Sequence, residues 1–275
     1  MSAPRIPLVT HETYHVFNRG LDKRPTFRNQ REYARAYQTL KYYRFLNLPV
    51  KLSRFLELNE GQRQKIMQEC SSQLKISILA YCFMPNHFHF LIRQEADNGI
   101  SKFMSDFLNS YTKYFNTKEG RVGQLFLNNF KSVRVESEEQ LLHLSRYIHL
   151  NPFSSFVVKE IEDLEKYEWS SFQEYLQKSE DYICEKETIL SYFKNTDLLV
   201  SADCVAFSLG NFHPKYLKGK KLIIACPKLD DDIQSYIEKI RQLIDIAQVN
   251  TITVMIMQVP CCRGLLQIVQ TASEN

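Results

Sequence analysis

Apolar and aromatic residues along the chain fall into short patterned runs separated by turn-forming residues. Thr13–Asn18 (TYHVFN) has strand-like composition and leads into the turn signal Arg19-Gly20. Asn29–Tyr43 predicts a helix, with Asn29 as its cap and apolar or aromatic residues at helical spacing. Residues 46–72 read as a connecting insertion with a short helix around Glu60–Cys70. Lys75–Phe83 (KISILAYCF) is a mainly apolar run, too short for a membrane helix, and predicts a buried strand. Met84-Pro85-Asn86 is a turn, after which His87–Arg93 (HFHFLIR) alternates as a second strand should. A helix is expected over Ile100–Phe115, ending before the turn at Lys118–Gly120. Gln124–Val135 is strand-like. Glu138–Leu150 predicts a helix whose acidic first turn suits the N-terminal dipole and which Pro152 stops.

The pattern then changes twice. Residues 153–196 read as an acidic, mostly helical appendage carrying the only tryptophan, Trp169. From Leu198 onward, Lys221–Cys226 is a strand, Asp231–Ala247 a helix, Thr251–Val259 a strand and Cys261–Ala272 a helix. That β-α-β-α order predicts half of an open parallel sheet. No internal repeat or low-complexity tract interrupts it.

Composition sharpens this outline. The 275 residues, 44% hydrophobic and 24% charged, suit one or two globular domains and exclude wholesale disorder. No apolar run approaches a membrane span, the opening MSAPRIPLVT lacks an apolar signal core, and seven cysteines do not suggest a disulfide framework. A cytoplasmic protein without membrane partners is the expectation. The formal charge of +4 hides an uneven distribution: residues 1–134 carry a net +11, 135–197 a net −8, and 198–275 a net +1. A basic portion interleaved with aromatics suits a phosphate backbone as well as it suits an ordinary solvated surface.

His87 and His89 stand two apart on a predicted strand, so both point to one face while Phe88 and Phe90 point to the other. Two imidazoles on one face can share a divalent cation, although HxH is also a common pair of sheet histidines. Tyr147 and Asn151, at i and i+4, line one helical face. Tyrosine is a competent nucleophile and an Asn carbonyl a hard metal ligand, yet an amphipathic helix needs neither role. Tyr111 and Tyr114, in a basic setting on another helix, are rival nucleophiles that spacing does not exclude. His143, four residues before Tyr147, reads as a helix-packing or solvated residue, and His149, on a different face, as structural.

MPNHFHFLI at Met84–Ile92 and RYIHLNP at Arg146–Pro152 together resemble the REP-associated tyrosine transposases, members of the HUH superfamily of single-strand DNA transposases. YHVFNRGLDKRPTF (Tyr14–Phe27), GQLFLNNFKS (Gly123–Ser132) and YEWSSFQEYL (Tyr167–Leu176) resemble the same family, in the same order, so the likeness covers roughly residues 10–195. It implies an α+β, ferredoxin-like antiparallel sheet with HxH on a central strand and a catalytic helix across it. The implied domains are a catalytic one over 1–152 and its acidic extension over 153–197. The resemblance also implies Tyr147 as nucleophile, His87, His89 and Asn151 as ligands of Mg2+ or Mn2+, and cleavage of single-stranded hairpin DNA through a 5′-phosphotyrosine. DNA contact is expected from Arg19, Lys23, Arg24 and Arg28, from Lys113, Lys118 and Arg121, and from Lys131 and Arg134. A non-cleaving, domesticated hairpin-binding relative is the alternative. Monomer and homodimer both stay open.

The last segment departs from that family. ADCVAFSLGNFH (Ala202–His213), CPKLDD (Cys226–Asp231) and VPCCRG (Val259–Gly264) resemble the C-terminal half of a ferredoxin-like iron–sulfur protein. Cys204, Cys226, Cys261 and Cys262 lack cluster-binding spacing, so no iron–sulfur cluster is expected. A redox or metal-binding role for these cysteines is a second alternative, and the expectation is a fused passenger segment over 198–275.

Overall fold

The computed structural model describes residues 7–274 apart from 177, 180, 193, 230–232 and 246. The chain divides into two compact units, Met1–Lys186 and Glu187–Asn275.

The first unit begins with β1 (Thr13–Arg19), α1 (Gln30–Tyr43), α2 (Leu52–Glu57), α3 (Glu60–Cys70), β2 (Ile76–Met84) and β3 (His87–Gln94). It continues with α4 (Gly99–Glu119), β4 (Lys131–Arg134), α5 (Glu138–Ser154) and α6 (Phe172–Tyr175). The strands form one antiparallel sheet in the order β2-β3-β1-β4. With α2 and α3 set aside as an insertion, β1-α1-β2-β3-α4-β4 in that strand order is the ferredoxin-like α+β arrangement.

Strand alternation builds the two faces. Phe88 and Phe90, both fully buried, point toward α4, where Phe107 meets their rings at 5.1 and 5.3 Å. The opposite face carries His87 and His89, and α5 packs there against β2 and β3. Local signals fix the helices: Asn29 caps α1 by accepting from the Glu32 amide, and Asn59 and Gln62 form a capping box on α3. Gly120, at φ 60°, ends α4 four residues beyond the expected stop.

Three expectations change. Only Lys131–Arg134 of Gln124–Val135 forms a strand; Leu125 and Phe126 instead plug the core, with Phe126 bridged to Gly20 just after β1. Pro152 does not stop α5, which runs on to Ser154. Placed in the last turn, the proline forfeits one amide donor with little helix left to disrupt. The segment expected to be mostly helical over 153–196 is, from the end of α5 to Lys186 and among its described residues, mostly irregular, with a 3-10 turn at Ile161–Lys166 and the four-residue α6. Its role is visible at β2, an edge strand whose nine residues are all buried. Bridges Cys82–Ser170 and Ile78–Cys184, and the Phe83 amide donating to Trp169 O, cover that edge.

The second unit contains α7 (Glu187–Leu190), β5 (Asp197–Ala202), α8 (Asp203–Ser208), β6 (Lys220–Ala225), α9 (Ile233–Asp245), β7 (Thr251–Met255) and α10 (Pro260–Ser273). Its sheet is parallel, ordered β6-β5-β7. The expected β-α-β-α half-sheet is present with an additional central strand, β5, that the hydrophobic pattern did not announce. Leu198, Leu199 and Val200 of β5 are buried, the continuous apolar run expected of a strand covered on both faces. Residues 231, 232 and 246 of the helix expected over Asp231–Ala247 lie outside the described residues. Among the described residues, no helix is long and apolar enough to cross a membrane.

Candidate active site

The site is assembled on the sheet face that meets α5. On β3, His87 pairs with Arg19 of β1 and with Met84 of β2, and His89 pairs with Phe17 and Cys82. This register brings in a third imidazole: His15, two residues before Phe17, shares the same face, and its Nε2 lies 2.9 Å from His89 Nδ1. Both rings are over nine-tenths buried. Burial lowers His15 to a pKa of about 4. It also lowers His89, to about 3, with the adjacent His15 and His87 adding to the shift. Burial depresses His87 as well, against a hydrogen bond with the Asn151 side chain that favours its charged form. All three rings are therefore neutral at neutral pH, and since the His15–His89 contact needs one donor and one acceptor, only one of those two rings keeps a free lone pair. His87 Nδ1 lies 2.6 Å from Asn86 Oδ1, an acceptor only, so in the neutral ring Nδ1 carries the proton and Nε2, on the Asn151 side, holds the lone pair.

Helix α5 brings up the other two members. The Tyr147 ring stands edge-on to His89, with centroids 5.5 Å apart, and 6.1 Å from His15. It is 41% exposed, open to a large substrate. Asn151, one turn on, is buried, and its Oδ1 accepts from Ser155 Oγ at 3.2 Å. Among the described residues, no three His, Cys, Asp or Glu side chains gather as a metal site. A cleft of about 430 Å3 is lined by His87, His89 and Tyr147 together with Arg19, Lys23 and Lys131.

The other expected DNA contacts are placed differently. Arg28 is held by Glu32 (2.7 Å) and Glu119 (2.6 Å), and Lys118 by Glu32 (2.7 Å). Arg134 pairs with Glu12 at 2.6 Å. Arg121 donates to Asn116 Oδ1 and Gln124 O. Arg24 lies in the first loop, 4.0 Å from Asp22, and Lys113 lines a separate cleft. Of the rival tyrosines, Tyr111 is fully buried, its hydroxyl donating to Thr26 O at 2.6 Å, and Tyr114 lies beneath the Arg35 guanidinium at 5.1 Å. His143 is exposed, whereas His149 is buried and bonded to Ser171 Oγ at 2.8 Å. The sequence reading missed His15 and Asn86. Only the strand register shows that His15 shares the face of HxH, although TYHVFN did mark its strand.

In the second unit, Cys204 Sγ and Cys262 Sγ lie 3.5 Å apart, and all seven cysteines of the chain are free thiols.

An antiparallel α+β sheet that sets a histidine pair against a tyrosine on the facing helix is thus the frame of the first unit. Residues 40–151 match the family model described as IS200-like transposase, and the chain resembles the REP-associated tyrosine transposases. Residues 190–275 match a model described as a Rossmann-like domain, in keeping with the parallel sheet found there. A solved REP-associated tyrosine transposase bound to a REP hairpin is 17% identical, with a TM-score of 0.40, over 66% of this chain and 90% of that one. No curated protein matches the chain.

Proposed function

We propose that the protein is a transposase that cuts and rejoins single-stranded hairpin DNA through a 5′-phosphotyrosine at Tyr147, with Mg2+ or Mn2+ held by His87, His89 and Asn151. The observation that carries this reading is the placement of an accessible Tyr147 ring against His89, in one cleft with three cationic side chains. The donor set fits such an ion: both imidazoles are neutral, His87 presents Nε2, and an amide oxygen is a hard ligand. When bound, the ion offsets charge on the phosphoryl oxygens. His15 fixes the ring plane of His89, and Asn86 that of His87. Arg19, Lys23 and Lys131 seat the backbone phosphates beside the tyrosine. Attack forms the bond from Tyr147 Oη to phosphorus and breaks the bond from phosphorus to the 3′-oxygen. The phenolic proton leaves to solvent and the departing oxygen takes one up as a free 3′-hydroxyl. A 3′-hydroxyl of a second strand then attacks the phosphotyrosine and restores the phenol.

The test is a labelled hairpin incubated with Mn2+ or Mg2+, followed by denaturing electrophoresis. A covalent protein–DNA adduct is expected from the native protein and none from Tyr147→Phe. His87→Ala or His89→Ala is expected to lower its yield by at least about 100-fold. An undiminished adduct with Tyr147→Phe would sink the assignment. Hairpin binding without an adduct under any metal would establish the non-cleaving binder instead.

A further inference from the structure

A second cleft of about 700 Å3 lies between α1, α4 and the start of α2. Since α4 packs on the Phe88/Phe90 face, this cleft lies on the opposite side of the sheet from Tyr147. Its lining is unbalanced in charge. Arg35, Lys51, Lys113 and Lys118 face a single carboxylate, Asp106, which already pairs with Lys75. Lys118 is committed to Glu32, but among the described residues Arg35, Lys51 and Lys113 form no ion pair. Arg35 is the unusual member. Its Nε is sealed from solvent without a hydrogen-bond partner, and its guanidinium rests over the Tyr114 ring at 5.1 Å. Burial without a carboxylate disfavours its charged form and lowers its pKa. A half-buried cation left without a counter-charge is costly unless something anionic reaches it.

The dimensions and chemistry narrow the ligand. The volume exceeds the needs of a lone phosphate and suits one or two nucleotides. Lysines on the rim suit phosphates, and an arginine plane backed by tyrosine offers a base a stacking surface. The cleft also connects with the first loop: Lys118 shares Glu32 with Arg28, and the loop ending at Arg28 starts beside Arg19 and Lys23 of the active site.

We propose that the α1–α4 cleft binds a single-stranded stretch of DNA flanking the hairpin, as a second anchoring site on the face opposite the tyrosine. This rests on the reading of the protein as a hairpin-DNA transposase and adds a substrate subsite to it.

The test compares two hairpins, one blunt and one with a single-stranded extension of about ten nucleotides, by fluorescence anisotropy over a salt series. Lys51 and Lys113 are exposed, so the double variant Lys51→Ala/Lys113→Ala is expected to fold normally. It should bind the extended hairpin about tenfold more weakly and the blunt one within about twofold of native. With two fewer phosphates neutralised, the slope of log affinity against log salt should fall by about 1.4 for the extended DNA only. Native affinity for both DNAs, or equal weakening of both, overturns the proposal, the latter showing only general attraction by a basic surface. Displacement of the extension by a free nucleoside monophosphate at micromolar concentration also overturns it, in favour of a small-molecule pocket. In a second measurement, 5-iodouracil placed in the extension should photocrosslink to a peptide lining the cleft, within 35–53 or 106–118; crosslinks confined to other peptides contradict the site. Adduct formation is scored separately, so a native protein that binds but never cleaves refutes the transposase reading while the affinity comparison still decides the cleft.

Discussion

Glu32 shows how much one side chain organises in the first unit. It is fully buried, yet it accepts from the Arg28 side chain and amide and from Lys118. Burial alone would raise its pKa, but these bonds outweigh burial and hold it at about 2. The native state therefore binds the proton less readily than the unfolded chain. The stabilisation is complete above the ordinary value of 4.5 and is lost as pH falls toward 2. Glu32→Gln is expected to cost about 2 kcal/mol at pH 7, because both cationic partners keep partial access to water. Urea titrations at several pH values check this: the deficit should shrink between pH 4.5 and 2, and a pH-independent deficit would contradict it. At His15 the expectation concerns the metal. His15→Phe preserves an apolar, buried ring but removes the bond to His89, and Mn2+ affinity should fall about 10- to 100-fold. Mn2+ titration by electron paramagnetic resonance reads that directly, and unchanged affinity in a folded variant would refute the positioning role. Neither residue was marked as special by its place in the sequence. Glu32 looks like a first-turn acid on a helix and His15 like one more strand residue, because Lys118 and His89, which complete their surroundings, lie 86 and 74 residues away.

Among the elements, the β2–β3 hairpin was the most legible, since a mainly apolar run, a Met-Pro-Asn turn and strict alternation left little choice. The alternation also fixed that His87 and His89 oppose Phe88 and Phe90. The i, i+4 spacing similarly put Tyr147 and Asn151 on one face of α5. What the pattern did not give was pairing: β4 is shorter than its strand-like run, and the irregular segment after α5 serves as the cover of an edge strand. Such features depend on tertiary neighbours rather than on local periodicity. The first loop shows the same dependence. Gly20 has φ −57°, which any residue adopts, so its constraint is space. A Cβ there would lie 2.4 Å from Arg24 O and 2.8 Å from the Thr26 methyl. Gly20→Ala must therefore shift the loop carrying Arg19 and Lys23, at a cost of about 1–3 kcal/mol. A fall in thermal stability together with several-fold weaker hairpin binding is expected, and native values for both would show that the loop yields freely.

At the scale of the molecule, the net charge of +4 averages unlike segments. The strongly basic residues 1–134 supply both cationic clefts, whereas Tyr147 and Asn151 come from the acidic stretch that follows. Each unit has its own apolar core. One is built around Phe88, Phe90, Phe103 and Phe107, the other around Leu199, Val200, Phe212 and Leu265. Separate cores are the physical condition for independent folding. The composition change near Leu198 lies eleven residues beyond the start of the second unit at Glu187, a boundary that no break in composition marks. All of the residues proposed here for chemistry and DNA contact lie before Lys186. Terminating the chain there should leave a folded protein that binds the hairpin within about twofold of native and forms the Tyr147 adduct. In the full chain, calorimetry should resolve two transitions, one of which persists in the truncated form. If residues 1–186 keep their near-native circular dichroism but lose adduct formation, the parallel-sheet unit is a working part of the enzyme rather than a passenger. If they fail to fold at all, the two cores are not independent, and the boundary at Glu187 separates packing without separating stability.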